Sequence, residues 1–146
     1  MSTIKVDTYL TRGGASEIAI DKLKGASSAG SMTVVGEGGS TTTNLQQGLA
    51  KSYTASNSDG SGLIGSFNVS SLTDLASGKQ TTNFTNNMAN LEYAPTHGSG
   101  TGGHDGNYRW LLNNAMATGS YVVWSFNSSG SLSDNPCSST VVGDLA

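Results

Sequence analysis

This chain has little charge, one cysteine, two prolines and no long apolar run. Charged residues make up 12% and hydrophobic residues 35% of its 146 positions, against about 25% and about 45–50% in typical globular domains. The single Cys137 excludes an internal disulfide and is expected to be a buried, inert thiol. So few apolar side chains make a thin core for one domain, and we therefore expect self-association to complete it.

The small, mildly acidic charge excludes several classes of partner. The net charge is −3, and Lys and Arg form no cluster of the kind that a nucleic-acid surface requires. No apolar run approaches the roughly 20 residues that span a bilayer. The first residues also lack the basic and apolar segments of a secretion signal. We expect a protein made in the cytoplasm that neither binds nucleic acid nor inserts into a membrane.

Gly, Ser, Thr and Asn together make up roughly half of the chain, far above ordinary usage. A disordered chain would usually show high charge or abundant proline, and this one has neither. Thr is at home in strands, while Gly and Asn supply tight turns. The composition therefore predicts a mainly β protein with many short strands and solvated Ser/Thr faces.

Residues 1–24 are interpreted as an N-terminal arm. Apolar residues there alternate with polar ones in two short pieces around a Thr-Arg-Gly-Gly turn, which is typical of half-buried strands. They are too few to form a core, so we expect the arm to add strands to another structural protein; the alternative is an edge strand on the chain's own domain. The candidate attachment residues are Ile4, Val6, Tyr9, Leu10, Ile18 and Ile20.

Residues 25–50 have the Gly/Ser/Thr-rich composition of a linker. One short strand is predicted at residues 32–35. Asn44 is a suitable N-cap for a helix at Leu45, and Gly48 limits that helix to a turn or two. No heptad pattern is present, so a long coiled-coil stalk is excluded.

Residues 51–146 are predicted to form an antiparallel β-sandwich, because short strands alternate with turn clusters. Residues 57–62 are one such turn, and residues 76–79 join a predicted hairpin. The clearest strand is 120–127, where Val122, Trp124 and Phe126 share one face and the opposite face is also partly apolar. That pattern predicts a central strand. A further strand is predicted at 108–112, beside an antiparallel partner.

Two histidines flank a glycine-rich segment at residues 98–103, and Asp105 follows. His97, His104 and this carboxylate have the chemistry of zinc or iron ligands. A flexible six-residue spacer fixes no ligand geometry, however, so an exposed loop is the preferred interpretation. We expect neither a metal site nor a cofactor.

The segment from His97 to Tyr108 is longer than ordinary hairpin connections, and such loops are often functional. Its histidines and neighbouring aromatic residues offer apolar faces and hydrogen-bond donors to a host-surface glycan or protein. The alternative is that the aromatic residues pack within the sheet. The candidate receptor-contact residues are His97, His104, Tyr108 and Arg109.

No catalytic residue is predicted. The carboxylates of the β-rich part show no pairing that would suit glycoside cleavage, and we find no nucleophile elbow, zinc-protease motif or P-loop. These carboxylates are Asp59, Asp74, Glu92, Asp105 and Asp134.

Three segments together resemble a known family. The central stretch from Leu45 to Ala94 contains Ser-Phe-Asn-Val-Ser-Ser-Leu-Thr-Asp at residues 66–74 and Met-Ala-Asn at 88–90. The opening residues 1–8 and the closing residues 141–146 complete the pattern. It is similar to a module at the distal end of tail fibres and related virion appendages of marine bacteriophages, especially those that infect cyanobacteria.

The resemblance implies a structural virion protein, assembled in the host cytoplasm, that forms a homotrimer. Its N-terminal arm would dock to other tail or capsid proteins, and its β-rich domain would serve host attachment. Longer fibres have a shaft that this chain lacks, so a capsid decoration or tail adaptor protein without receptor binding is the alternative. A polysaccharide depolymerase ranks third, because the chain is too short for a long parallel β-helix.

Overall fold

In the computed structural model of the chain, the structure describes residues 13, 22, 23, 32–36, 38–57, 62–99 and 110–146. Within these residues the protein is mainly β, as predicted. The elements in chain order are β1 (Thr33–Val35), β2 (Thr42–Asn44), α1 (Leu45–Gly48), β3 (Ala50–Ser56), β4 (Leu63–Phe67), β5 (Val69–Ala76), β6 (Lys79–Phe84), β7 (Ala94–Ser99), β8 (Trp110–Ala117), β9 (Ser120–Phe126) and β10 (Cys137–Val142).

Two four-stranded sheets account for most of the architecture. One has the strand order β4-β3-β10-β7 and the other β5-β6-β9-β8, and β1 pairs separately with β2. Every pairing between these strands is antiparallel. The predicted antiparallel β-rich fold is therefore confirmed.

The hydrophobic core lies between the two four-stranded sheets. Tyr121 and Val123 of β9 and Phe84 of β6 meet Cys137 and Val141 of β10 in one buried cluster. Tyr121 is fully buried, and its ring centroid lies 5.6 Å from that of Phe84. Cys137 is a buried free thiol, as predicted, and burial raises its pKa.

The strand predicted at 120–127 is confirmed as β9, and its central position is also confirmed. It pairs with β6 on one side and with β8 on the other. Tyr121, Val123 and Ser125 are buried, whereas the alternate residues are only partly covered. The strand predicted at 108–112 corresponds to β8, which is antiparallel to β9 and continues five residues further, to Ala117.

The predicted hairpin at residues 76–79 is confirmed as the β5–β6 turn. Gly78 has a φ of 70°, in the left-handed region that favours glycine. A Cβ at this position would lie 2.6 Å from the Ser125 carbonyl oxygen and 2.6 Å from the Ser133 backbone nitrogen. A glycine is therefore required both by the turn and by the chain that packs over it.

The part of the chain assigned to a linker contains more structure than predicted. The N-cap at Asn44 is confirmed, because its Oδ1 accepts a hydrogen bond from the Gln47 backbone N–H at 3.0 Å. The single strand predicted at 32–35 is β1, but residues 42–44 form the paired strand β2. This second strand was not predicted, because Thr suits an exposed hairpin strand as well as a flexible segment.

The registers define two opposite ends of the pair of four-stranded sheets. At one end the chain enters β3, and Ala50 pairs with Val142. We call this the Ala50 end. The opposite end is called the Phe126 end. There β9 ends, and Phe126 pairs with Trp110, the first residue of β8.

Ser99, the last residue of β7, pairs with Cys137. Cys137 in turn hydrogen-bonds Ser56, the last residue of β3, which lies at the opposite end of that strand from Ala50. Tyr93, which directly precedes β7 at the Ala50 end, donates its hydroxyl to the Ala117 and Ser120 carbonyls, so the start of β9 lies at the Ala50 end and Phe126 lies at the other end. The strand ends on both sides of residues 100–109 therefore lie at the Phe126 end.

Candidate functional site

The structure separates the predicted site residues into two groups. The six candidate attachment residues of the arm lie outside the described residues, and so do His104, Tyr108 and Arg109. His97 is the one predicted contact residue that is described. It lies within strand β7, so the prediction that the loop begins at His97 is wrong: residues 97–99 continue the pairing with β10.

The side chain of His97 faces the interior between the sheets. Its Nδ1 lies 2.7 Å from the Ser139 hydroxyl of the neighbouring strand, and its ring centroid lies 5.7 Å from that of Tyr121 in the opposite sheet. Burial lowers the pKa of His97 below its usual 6.5. The His97 ring therefore packs as part of the fold and is not an exposed contact residue.

The inner face of β3 and β10 is filled largely by hydroxyl side chains. Ser52, Thr54 and Ser56 are almost completely buried, and Ser139 lies beside them. Within the described part of the chain, the Ser52 and Thr54 hydroxyls have no hydrogen-bond partner, nor do the Tyr121 hydroxyl and His97 Nε2. This layer buries little apolar surface, so it contributes little hydrophobic stabilisation.

An aromatic pair lies on the outer face of β9, at the Phe126 end. The ring centroids of Trp124 and Phe126 are 6.4 Å apart, and both residues are partly exposed. Lys79, which pairs with Trp124 across the sheet, places its Nζ 4.7 Å from the Trp124 ring centroid, within cation–π range. Aromatic faces beside a cation suit a sugar or an acidic group. Sequence reasoning named Trp124 and Phe126 only as a strand face, and Lys79 had no assigned role.

The turn that follows β9 is fastened to the β5–β6 hairpin. The Asp134 carboxylate accepts a hydrogen bond from the Gly78 backbone N–H at 2.5 Å, and the Ser125 N–H donates to the Gly78 carbonyl. Asp74 and Asp134 line one small cavity of about 10 Å³, room for about one water molecule. The Asp134 carboxylate therefore supports the turn.

A larger polar depression of about 240 Å³ lies at the Ala50 end. Two carboxylates, Glu92 and Asp144, and two amide side chains, Gln47 and Asn90, contribute to its lining. Gln47 Nε2 donates to Asp144 Oδ2 at 3.4 Å, and Asn90 Oδ1 accepts from the Glu92 backbone N–H. Its volume is below the roughly 300–1,000 Å³ of typical small-molecule sites. Sequence reasoning did not find it, because it joins residues far apart in the chain.

The crossover between the two sheets lies within residues 66–74. The chain leaves β4 at Phe67 and enters β5 at Val69, with Asn68 at a φ of 55° between them. The Asn68 side chain hydrogen-bonds the backbone of both Lys51 and Asn86. These hydrogen bonds hold the crossover between the two sheets in place.

Within the described residues, no group of three or more His, Cys, Asp or Glu side chains is placed to hold a metal ion. In the same part of the chain, no helix has the length and apolar character needed to cross a bilayer. No family model, no curated protein and no solved structure matches this chain.

Proposed function

We propose that this protein is a non-enzymatic structural component of a bacteriophage particle, a short tail fibre or similar appendage. It attaches through its N-terminal arm and forms a homotrimer. Its β-rich domain projects from the particle towards the host surface. Support for this proposal comes from the sequence resemblance and from the antiparallel β fold that carries the resembling residues.

The observation that carries the proposal is the separation of the two ends of the sandwich. The chain that follows the arm enters at the Ala50 end. The strand ends that flank residues 100–109, which include three of the four candidate receptor-contact residues, lie at the Phe126 end. Attachment through one end would therefore leave the opposite end free to meet a receptor.

The chemistry of the Phe126 end suits a polar partner with apolar faces. Trp124 and Phe126 offer aromatic surface, and Lys79 offers a positive charge beside it. A host-surface glycan or protein could be recognised by such a surface together with Tyr108 and Arg109. Three copies in each appendage and several appendages on each particle would raise the avidity without any new contact.

A capsid decoration or tail adaptor protein is the second candidate. The observation that favours it is the compactness of residues 32–48, which contain a small hairpin and one helical turn where a longer fibre would have a shaft. Such a protein would contact only other virion proteins, and its Phe126 end would have no role in adsorption.

Adsorption of phage particles to host cells distinguishes the two candidates. Particles that carry His104→Ala and Tyr108→Ala should adsorb at least about ten-fold more slowly, a change of about 1.4 kcal/mol, with the same number of copies per particle. Glu92→Ala, at the Ala50 end, is the matched control and should adsorb normally. Unchanged adsorption of the double variant would remove the receptor role and favour the decoration or adaptor function.

A further inference from the structure

The small cavity beside the β5–β6 hairpin is lined by oxygen-bearing side chains from four segments of the chain. Its volume is about 10 Å³, and its lining includes Asp74 of β5, Gln80 of β6, Ser125 of β9, and Asp134 and Asn135 of the segment that leads into β10. Asp74 and Gln80 pair directly across their two strands, so their side chains lie on the same face of the sheet. The cavity therefore gathers residues that are far apart in the sequence.

The Gln80 amide is the group that most clearly lacks a partner at this cavity. Only 8% of Gln80 is exposed, and its side chain forms no hydrogen bond within the part of the chain that the structure describes. Asn135, which is 9% exposed, donates its Nδ2 to the Ser133 carbonyl, and its Oδ1 has no partner among the described residues. Buried amides are normally hydrogen-bonded, so both amide oxygens are free to accept a ligand in the cavity.

Two carboxylates give the same cavity a negative charge. Asp134 Oδ1 accepts the Gly78 backbone N–H, which fixes the orientation of this carboxylate and leaves its second oxygen for a ligand. Asp74 forms no hydrogen bond or ion pair with another described residue. Lys79 also borders the cavity, but its Nζ lies 4.7 Å from the Trp124 ring centroid on the outer face of the sheet. The two negative charges are therefore not neutralised by an ion pair among the described residues.

We propose that this cavity binds one calcium ion. The ligands are the carboxylates of Asp74 and Asp134 and the amide oxygens of Gln80 and Asn135. Calcium takes about six to eight oxygen ligands, and carboxylates, amide carbonyls and water all serve. Water completes the set, since both carboxylates belong to exposed residues. Two carboxylates match the charge of a divalent ion.

The size of the cavity favours calcium over magnesium. Magnesium retains most of its water shell and requires near-ideal octahedral geometry, whereas this cavity has room for about one water molecule. A calcium site with only two carboxylates is expected to have a dissociation constant of about 0.1–1 mM, in the range of weak calcium-binding modules. Sequence analysis expected no metal site, because no local spacing brings these ligands together.

The larger depression at the Ala50 end has the same residue types, but its groups are already paired. Gln47 Nε2 donates to Asp144 Oδ2, and Asn90 Oδ1 accepts the Glu92 backbone N–H. Both amide residues there are exposed to water, so neither is left buried without a partner. The carboxylates of that depression are therefore matched controls for those of the small cavity.

The inference goes beyond the proposed function and does not rest on it. The bound ion would link the β5–β6 hairpin to the segment before β10, whatever the role of the whole protein. Calcium binding to the isolated chain tests the inference, while adsorption and particle composition test the phage assignment. Failure of one leaves the other standing.

The test is isothermal titration calorimetry of the full chain, freed of divalent ions with a chelator and titrated with calcium chloride up to about 10 mM. We expect one ion per chain and a higher Tm, because the ion binds the folded state. Asp74→Asn and Asp134→Asn preserve side-chain size and should weaken binding at least about ten-fold. Glu92→Gln and Asp144→Asn remove the same charge at the Ala50 end and should keep the wild-type affinity.

Three results of the calorimetry would overturn the inference. They are the absence of saturable calcium binding by the wild type, unchanged affinity in the Asp74 and Asp134 variants, and an equal loss of affinity in the two controls. Magnesium that bound as tightly as calcium would contradict the choice of ion.

NMR spectroscopy of the wild-type protein locates the ion even where a variant fails to fold. Calcium should shift the backbone amide signals of Gly78, Gln80 and Asn135, which surround the small cavity. The signals of Glu92 and Gly143, at the Ala50 end, should stay in place. Shifts confined to the Ala50 end, or spread evenly along the chain, would contradict the inference.

Discussion

The backbone N–H of Asn86 donates to the Oδ1 of Asn68 at 2.7 Å. Asn68 Nδ2 donates in turn to the carbonyl oxygens of Lys51 and Asn86, at 3.0 Å and 3.1 Å. The Asn68 side chain therefore links the crossover between the sheets to strand β3 and to the turn after β6 by hydrogen bonds. Asn68 also has the positive φ that the crossover requires, which asparagine tolerates better than most residues.

Asn68→Ala should lower the free energy of unfolding by about 2–4 kcal/mol, because it removes several hydrogen bonds at about 1 kcal/mol each and leaves strained backbone. Asn68→Gly loses the same bonds but accepts the positive φ, so it should be about 1 kcal/mol more stable than the alanine variant. Urea unfolding measures both. An alanine variant as stable as the wild type would show that the crossover does not depend on this side chain.

Gly78→Ala should be more destabilising than Gly130→Ala, although the two glycines have similar φ values of 70° and 76°. The added methyl group at residue 78 would meet Ser125 and Ser133 backbone atoms at 2.6 Å, whereas the one at residue 130 would meet nothing within 4 Å. Backbone strain alone costs about 1–2 kcal/mol, so the difference between the two variants in thermal unfolding reports the clash. Equal losses would mean that the chain over the hairpin yields freely.

His97 should make the protein less stable as the pH falls below about 6.5. Burial lowers its pKa, so in acid the unfolded chain binds a proton that the folded chain resists. The free energy of unfolding therefore decreases from pH 6.5 down to the folded pKa, and this residue has no effect at higher pH. Urea midpoints between pH 7 and 5 should fall less steeply in His97→Gln.

The matched control for this pH dependence is His104→Gln, since the chain has two histidines. This control should keep the wild-type slope. If His97→Gln and the wild type lose stability in parallel between pH 6.5 and 5, the loss comes from other groups, and the buried environment of His97 does not govern it.

Deletion of residues 1–24 should leave the β-rich domain folded, because the buried core cluster lies wholly between Phe84 and Val141. The urea midpoint should stay close to that of the full chain, while incorporation into phage particles should be lost. Replacing Ile4 and Val6 with serine in the full chain is a milder variant with the same expected defect. Particles that take up the truncated chain in the absence of full-length copies would place attachment elsewhere.

The features that sequence predicted well depend on local chemistry. Asn44 caps its helix, the glycine turn closes the β5–β6 hairpin, and the two-sided apolar pattern of β9 marks a central strand. Each of these signals acts within a few residues of the chain. Cys137 was placed correctly for a similar reason, since a lone thiol behaves as a small hydrophobic residue.

The features that sequence missed depend on contacts between distant segments. His97 was assigned to a loop because glycines follow it, yet pairing with β10 extends the strand to Ser99. The depression at the Ala50 end joins Gln47 to Asp144, which no local pattern reveals. The cavity shared by Asp74 and Asp134 likewise becomes visible only once the segment after β9 is seen to pack on the β5–β6 hairpin.

The most direct test of the central proposal is a cryo-electron microscopy map of the virion encoded by the genome that carries this chain. The proposed function predicts three copies in each appendage, with the Ala50 end directed towards the particle and the Phe126 end directed outward. A map in which the Phe126 end is buried against another virion protein would contradict the receptor role. A particle that lacks the chain altogether would contradict the structural function itself.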